Sequence, residues 1–192
     1  MLVAISGGIG SGKSIIARIL STMGYPIYDC DSNARYLINN SSEIKTEIKE
    51  LIGVNCILPD GTLNRKVVGD VVFKDSEKLR ALNKITHSAV RADIAKWEKT
   101  RGEKLMFVET AILYQSEIDK MVDAVIEVVA PTEIRIMRIQ KRNGLNRNEI
   151  INRINSQQFD VEEPHERIFT IENDGNSAII PQLLSILANL GY

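Results

Sequence analysis

The octapeptide from Gly7 to Ser14, which reads Gly-Gly-Ile-Gly-Ser-Gly-Lys-Ser, constrains the fold of this chain more than any other stretch. It fits the pattern G-x-x-x-x-G-K-[ST] of a phosphate-binding P-loop, a motif that joins a strand to a helix. Residues 1–6 before it form a short apolar run typical of a buried parallel strand, and residues 14–20 after it have the apolar spacing of a helix. The sequence therefore predicts an α/β fold that begins with a strand, a phosphate loop and a helix.

The residue types in the P-loop indicate how it would hold a phosphate chain. Glycines let the backbone N–H groups turn inward, and the N-terminus of the helix adds a partial positive charge. Lys13 is expected to reach the β- and γ-phosphates of a nucleotide, and the Ser14 hydroxyl to ligate Mg²⁺. The alternative is a glycine-rich turn without a ligand, which fits a motif of this length and context less well.

Charge and cysteine content narrow the class of protein. The 192 residues carry a formal net charge of −1, which argues against a generally basic surface for nucleic acid or membranes. Cys30 and Cys56 form no C-x-x-C pair and suggest no disulfide framework, so a reducing cytosol is the default location. No apolar run approaches the length of a membrane span. We expect one cytoplasmic domain, with room for an inserted subdomain.

Two carboxylates follow the predicted second strand. Residues 26–29 read as a short strand that leads into Asp29-Cys30-Asp31, at the carboxyl edge of the sheet where α/β enzymes place their chemistry. Asp31 could serve catalysis, or it could cap the helix predicted to follow it. The residues alone favour neither role.

The middle of the chain, residues 32–100, looks mostly helical. This is too much helix for one crossover between parallel strands and suggests a helical insertion. Its longest helix begins near Asp75 and contains His87, which is either a packing residue or a ligand. The next buried strand, residues 104–109, ends in Glu109, which resembles a Walker B acid but could also cap the next turn.

A basic segment runs from Arg135 to Arg153, with Glu149 as the one acid between those ends. Arg138 and Arg142 are four positions apart and share a helix face. The segment suits a lid that closes over polyphosphate and stabilises charge on a moving phosphoryl group. The alternative is a solvated basic face, with RNA as an optional partner, although the segment lacks the aromatic residues that stack on bases.

Taken together, these motifs resemble the dephospho-CoA kinase family nearly from end to end. The family transfers the γ-phosphoryl group of ATP to the ribose 3′-hydroxyl of dephospho-CoA. The resemblance is carried by the P-loop, by Asp29-Cys30-Asp31 as its Asp-x-Asp motif, by the helical segment 82–87 that ends in His87, by the lid residues Arg138, Arg142, Arg153 and Gln157, and by Glu172-Asn173. The chain departs from the family pattern at Ser88, at residues 111–115 and at Asn143.

The resemblance implies a P-loop NTPase fold like that of nucleoside-monophosphate kinases, with a five-stranded parallel sheet and flanking helices. The single domain, residues 1–192, would comprise a core (about 1–31, 101–134 and 156–192), a helical acceptor-binding insertion (about 32–100) and a lid (about 135–155). It also implies Asp31 as the catalytic base, with Lys13 and Arg142 as further catalytic residues. ATP would contact Gly8, Ile9, Gly10, Ser11, Gly12, Lys13, Ser14, Ile15, Arg138 and Asn173, with Mg²⁺ on Ser14. The acceptor would contact Asp31, His87, Glu109 and Leu113.

On this interpretation the partner is the small molecule dephospho-CoA, without nucleic acid or membrane, and the protein is a monomer or a weak homo-oligomer. Two other functions stay open. One is a P-loop kinase for another small metabolite or nucleotide, such as a shikimate-kinase-like enzyme. The other is a non-enzymatic nucleotide switch. A GTPase would need Asn-Lys-x-Asp, and the nearest stretch, residues 83–86, lacks the aspartate.

Overall fold

The structure is a computed structural model that describes residues 1–157 and 163–192, so residues 158–162 of the predicted core lie outside the described part. The chain divides into two compact units, described separately below. The first comprises Met1–Tyr28 and Glu103–Tyr192, and the second comprises Asp29–Gly102, which includes the predicted helical insertion. The strands are β1 (Leu2–Ser6), β2 (Ile27–Asp29), β3 (Met106–Glu109), β4 (Ala124–Val129) and β5 (Ile168–Glu172). The α-helices are α1 (Lys13–Thr22), α2 (Cys30–Asn40), α3 (Ser42–Ile52), α4 (Arg65–Val72), α5 (Ser76–Arg101), α6 (Thr132–Asn143), α7 (Arg147–Asn155) and α8 (Ile179–Leu190).

The sheet has the strand order β2-β3-β1-β4-β5, with β1 in the centre. β1 pairs in parallel with β3 and β4, and β4 pairs in parallel with β5. The predicted five-stranded parallel sheet with flanking helices is therefore confirmed. Because β1 neighbours β3 and β4, its carboxyl end meets two further strand ends at one edge, which is where parallel α/β sheets bind ligands.

The main core of the first unit packs helices α1 and α8 against the sheet. Residues 2–5 of β1 are completely or almost completely buried, which explains why the strand is uniformly apolar. The helical contribution comes from one apolar stripe on each helix: Ile16, Ala17 and Leu20 on α1, and Leu183, Ile186, Leu187 and Leu190 on α8. This packing fixes the start of α1, and with it the P-loop, against the end of β1.

Helices α6 and α7 form a second, smaller cluster in the first unit. Ile136, Ile139, Ile150 and Ile154 are buried between them, with Ile9 of the P-loop packed against the same cluster. The chain turns between the helices at Gly144, whose φ of 65° lies in the left-handed region. Asn146 and Glu149 then form a capping box that starts α7. The predicted lid segment therefore consists of two helices that share an apolar cluster of their own.

The second unit consists of helices α2 to α5. Its core contains Ile44, Ile48, Cys56, Val68 and Val72. Helix α5 starts where the sequence predicts, because the Asp75 side chain accepts hydrogen bonds from the N–H groups of Glu77 and Lys78. Among residues 1–157 and 163–192, no helix combines the length and the apolarity needed to cross a bilayer.

Candidate active site

The P-loop connects the carboxyl end of β1 to the first turn of α1. Gly12 is the N-cap of α1, and its backbone φ of 103° is one that residues other than glycine rarely adopt. The N–H groups of Gly10, Gly12 and Ser14 have no hydrogen-bond acceptor among the described residues. Together with the partial positive charge of the helix N-terminus, these donors form a cradle for an anion.

The glycines of the loop also make room for neighbouring protein groups. A Cβ atom on Gly12 would collide with the side-chain amide of Asn173, and one on Gly8 would collide with the guanidinium of Arg135. A Cβ on Gly10 would lie 2.9 Å from the carbonyl oxygen of Arg135. The glycine pattern therefore serves the packing of α6 and of the loop after β5 against the P-loop, as well as the approach of phosphate.

Lys13 and Ser14, predicted to contact ATP and Mg²⁺, are the first two residues of α1. The Nζ of Lys13 donates to the carbonyl oxygen of Gly7 at 2.7 Å, so its charge lies against the loop. The Ser14 hydroxyl is exposed in the first turn of α1. One hydroxyl ligand fits Mg²⁺, because this ion in phosphotransfer sites takes few protein ligands and fills its octahedron with phosphate oxygens and water.

The Ser11 side chain is buried, unlike that of Ser14. It is 1% exposed, and its Oγ has no hydrogen-bond partner among the described residues. The backbone of Ser11 is fully used, since its N–H donates to the carbonyl oxygen of Gly8 and its carbonyl oxygen accepts from Asn173 and Arg138. The predicted contact of Ser11 with ATP stays a prediction, and its hydroxyl has no access to the surface.

Ser11→Ala is expected to stabilise the protein by about 1 kcal/mol, because a buried hydroxyl without a partner costs about 1–3 kcal/mol. The substitution removes one oxygen atom and needs no backbone change. Urea denaturation of the two proteins, followed by circular dichroism, measures the difference. A loss of stability in the alanine variant would mean that the hydroxyl has a bonded partner in solution.

Arg138 and Asn173, both predicted to contact ATP, lie beside the P-loop. Nη1 of Arg138 donates to the carbonyl oxygens of Gly10 and Ser11, at 3.4 and 3.3 Å, and its Nη2 donates to Oδ1 of Asn173 at 3.0 Å. The Nδ2 of Asn173 donates to the Ser11 carbonyl oxygen at 2.7 Å. Both polar ends of the buried Asn173 side chain therefore bind protein groups, and its predicted role toward ATP stays a prediction.

Three further arginines of the predicted lid segment have different environments. Arg142 is exposed, and its Nε donates to Oδ1 of Asn143 at 2.8 Å. Arg147 forms two hydrogen bonds with the carboxylate of Glu133, which lower the pKa of Glu133 below its usual value. Arg153 is exposed. Arg147 is thus engaged with an acid that lies just outside the basic segment, a pairing that the sequence does not reveal.

Two further contacts to the P-loop, both at Ile9, were not predicted from the sequence. The Nε of Arg135 donates to the Ile9 carbonyl oxygen at 2.8 Å, and the Ile9 N–H donates to Oε1 of Gln157 at 2.7 Å. Burial of the guanidinium lowers the pKa of Arg135 below its usual value. The only signal in the sequence was the resemblance of Gln157 to the family pattern, which does not say what Gln157 contacts.

The end of β3 holds the two remaining predicted site residues of the first unit. Glu109 is half-buried at the last position of the strand. The turn after it is capped by Thr110, whose Oγ1 accepts the N–H of Ile112 at 3.2 Å. The Leu113 side chain is 2% exposed. The acceptor-binding roles predicted for Glu109 and Leu113 stay predictions, and Leu113 is a core residue in this structure.

In the second unit, the residue that caps α2 is Asp29 and not Asp31, for which the sequence allowed either capping or catalysis. The Asp29 side chain accepts hydrogen bonds from the N–H groups of Asp31 and Ser32 and is the N-cap of α2. Asp31 lies in the first turn, exposed and without a hydrogen bond from its carboxylate to the described residues. Capping therefore does not explain Asp31. His87 is half-buried midway along α5.

A cavity of about 380 Å³ opens beside the carboxyl ends of β4 and β5. It is lined by Val129, Ala130, Pro131, Glu172 and Asp174, with more apolar than polar surface. The N–H groups of Ser177 and Asn176 bind the Asp174 carboxylate and lower its pKa, which fixes this side of the cavity. A flat, mostly apolar group such as a purine base fits a cavity of this character.

Comparisons with known proteins agree with this geometry. The family model for dephospho-CoA kinase matches residues 1–178. A dephospho-CoA kinase from Listeria innocua is 34% identical over 176 residues, which cover 90% of this chain and 88% of that protein. Another from Bacteroides fragilis is 32% identical over 189 residues, which cover 98% of this chain and 92% of that protein. The crystal structure of TT1252 from Thermus thermophilus superimposes with a TM-score of 0.80 at 28% identity, covering 99% of this chain and 95% of that one.

The family match extends over the P-loop, the helical unit, the basic helix pair and Asn173, so it includes every site residue considered above. The matched residues cover 88% and 92% of these two relatives. On these grounds, the chain belongs to the dephospho-CoA kinase family.

Proposed function

We propose that this protein transfers the γ-phosphoryl group of ATP to the ribose 3′-hydroxyl of dephospho-CoA, giving coenzyme A and ADP. The observation that carries the proposal is the P-loop cradle, with its unbonded N–H groups and the adjacent Lys13 ammonium, in a chain that matches the dephospho-CoA kinase family over residues 1–178. Family membership selects the acceptor, because the cradle by itself is shared by many nucleotide-binding proteins.

The ATP-binding groups of the proposal all lie in the first unit. The N–H groups of Gly10, Gly12 and Ser14 and the start of α1 bind the phosphates, and Lys13 balances the charge that spreads over the γ-phosphoryl oxygens. The cavity at the ends of β4 and β5 receives the adenine base. Mg²⁺ held by the Ser14 hydroxyl would neutralise charge between the β- and γ-phosphates.

Acceptor activation falls to Asp31. The 3′-hydroxyl oxygen attacks the γ-phosphorus, the bond from that phosphorus to the β–γ bridging oxygen breaks, and the hydroxyl proton passes to the Asp31 carboxylate. The capping of α2 by Asp29 leaves the Asp31 carboxylate available for this proton. The proposal also keeps the acceptor-binding roles that the family resemblance implies for His87, Glu109 and Leu113. The enzyme acts in the cytoplasm on a small molecule, as a monomer or weak homo-oligomer, without nucleic acid or membrane.

Arg142→Ala is expected to lower kcat by about a hundredfold while changing the acceptor KM little, because its charge is needed most in the transition state. The exposure of Arg142 means that the substitution removes a charge without opening a cavity. Steady-state kinetics with dephospho-CoA as the varied substrate separates the two parameters. A change confined to the acceptor KM would make Arg142 an acceptor-binding residue instead.

The release of ADP with and without candidate acceptors tests the proposed function. Dephospho-CoA should accelerate ATP turnover strongly, while shikimate, nucleoside monophosphates and buffer alone should not. Faster turnover with one of the other acceptors would identify a different P-loop kinase. Slow hydrolysis that no acceptor changes would identify a nucleotide switch.

A further inference from the structure

Two side chains from outside the P-loop hold the polar groups of Ile9. Gln157, which follows α7, accepts the Ile9 N–H, and Arg135 on α6 donates to the Ile9 carbonyl oxygen. The Ile9 side chain packs against the apolar cluster of α6 and α7. Ile9 is therefore attached to the α6–α7 pair through its N–H, its carbonyl group and its side chain.

Peptide planarity transmits these contacts to the phosphate cradle. In a trans peptide the C=O and the following N–H belong to one plane and point in opposite directions. Because Arg135 holds the carbonyl group of Ile9, the N–H of Gly10 must point away from Arg135. That N–H is one of the donors without an acceptor among the described residues. The Arg135 contact therefore sets the direction of a phosphate-binding donor.

Gln157 acts in the same way on the preceding peptide. Because it holds the N–H of Ile9, the carbonyl group of Gly8 must point to the opposite side. There it accepts the N–H of Ser11 at 3.1 Å and lies 3.5 Å from the Nζ of Lys13. The Gln157 contact therefore sets the direction of the Gly8 carbonyl group, which closes the loop and helps to hold Lys13.

We propose that Arg135 and Gln157 are positioning residues for phosphoryl transfer, which fix the two peptide planes beside Ile9 and so aim the donors of the P-loop at the phosphates. The inference rests on the proposed nucleotide-binding function of the loop. It makes the helix pair α6–α7 a structural support of the phosphate cradle, in addition to the charge that this basic segment supplies.

Gln157→Met tests the proposal, because it keeps the length of the side chain and removes the acceptor. We expect the Kd for Mg–ADP to rise about tenfold, as for the loss of one well-formed hydrogen bond. Amide hydrogen exchange at Ile9 should become faster, while the KM for dephospho-CoA changes less than about twofold. Gln140→Met is the matched control, since Gln140 is exposed on α6. Its Mg–ADP affinity should equal that of the wild type.

The Arg135 contact has its own test. Arg135→Lys keeps the positive charge and removes the guanidinium, and it should also weaken Mg–ADP binding about tenfold. Its control is Arg18→Lys at an exposed position of α1, which should bind like the wild type. A folded Gln157→Met or Arg135→Lys variant that binds Mg–ADP as tightly as the wild type would overturn the proposal. So would a control that weakens binding equally.

The design separates this inference from the proposed function. If Gln157→Met does not fold, Gln157→Asn replaces it, because that side chain stays polar but is one methylene group too short to reach Ile9. Mg–ADP binding needs no acceptor, so the comparison decides the positioning role even if dephospho-CoA is not the substrate. A wild-type protein that binds Mg–ADP but leaves dephospho-CoA unmodified would contradict the proposed function alone.

Discussion

Lys13→Ala is expected to reduce phosphoryl transfer about a thousandfold or more, which corresponds to about 4 kcal/mol of lost transition-state stabilisation. The ammonium of Lys13 lies 2.7 Å from the carbonyl oxygen of Gly7 and beside the donors of the cradle. Charge spreads over the γ-phosphoryl oxygens during transfer, and no other cation in the loop replaces Lys13 there.

The fold of the Lys13→Ala variant should survive, because Lys13 is only partly buried and is not part of the apolar cluster around α1. Single-turnover kinetics with ATP and dephospho-CoA measures the loss, and the melting temperature reports on folding. Lys99→Ala is the matched control, since Lys99 is exposed in the last turn of α5. A folded Lys13→Ala variant with unchanged turnover would disprove the assignment of the ATP site.

Asp31→Asn is expected to slow phosphoryl transfer at least about a hundredfold, because the change removes the proton acceptor and keeps the size of the side chain. General-base contributions are about 10²–10⁴-fold, or roughly 3–5 kcal/mol of barrier. The variant should still fold and bind Mg–ATP, since the Asp31 carboxylate forms no hydrogen bond with the described residues.

Asp29→Asn is the control for the Asp31 experiment. Asp29 caps α2 by accepting the N–H groups of Asp31 and Ser32, and asparagine caps a helix as well as aspartate does. Asp29→Asn should therefore cost much less activity than Asp31→Asn. Single-turnover rates and melting temperatures of both variants decide the matter. Nearly normal transfer by Asp31→Asn would exclude Asp31 as the base and leave Glu109 and Asp29 as candidates.

Local sequence signals predicted the elements that depend on neighbouring residues. The apolar run of β1, the glycine loop and the periodic start of α1 follow from backbone geometry and from the burial of one short segment. The start of α5 after Asp75 follows from capping, which acts within three or four residues. The identity of the phosphoryl acceptor came from the resemblance to the family, because no local pattern indicates it.

The local sequence did not determine which aspartate caps α2. Asp29 and Asp31 both carry the side chain that an N-cap requires, and they are separated by one residue. The choice between them depends on where β2 stops and α2 starts, because only the residue at that boundary can face the free N–H groups of the first turn. The structure places that boundary at Asp29, which leaves Asp31 for other chemistry.

What the sequence by itself determined about this protein is its P-loop, its alternation of strands and helices and its family. Only the tertiary structure decided which distant residues support the loop: Arg135 and Gln157 at Ile9, and Asn173 at Ser11, across separations of 126, 148 and 162 residues. Helical periodicity identifies the apolar face of α6, but it does not identify the loop that packs on that face. The strand order β2-β3-β1-β4-β5 places α6 and the end of β5 beside the P-loop, and the missing side chains of Gly8 and Gly12 let them approach it closely.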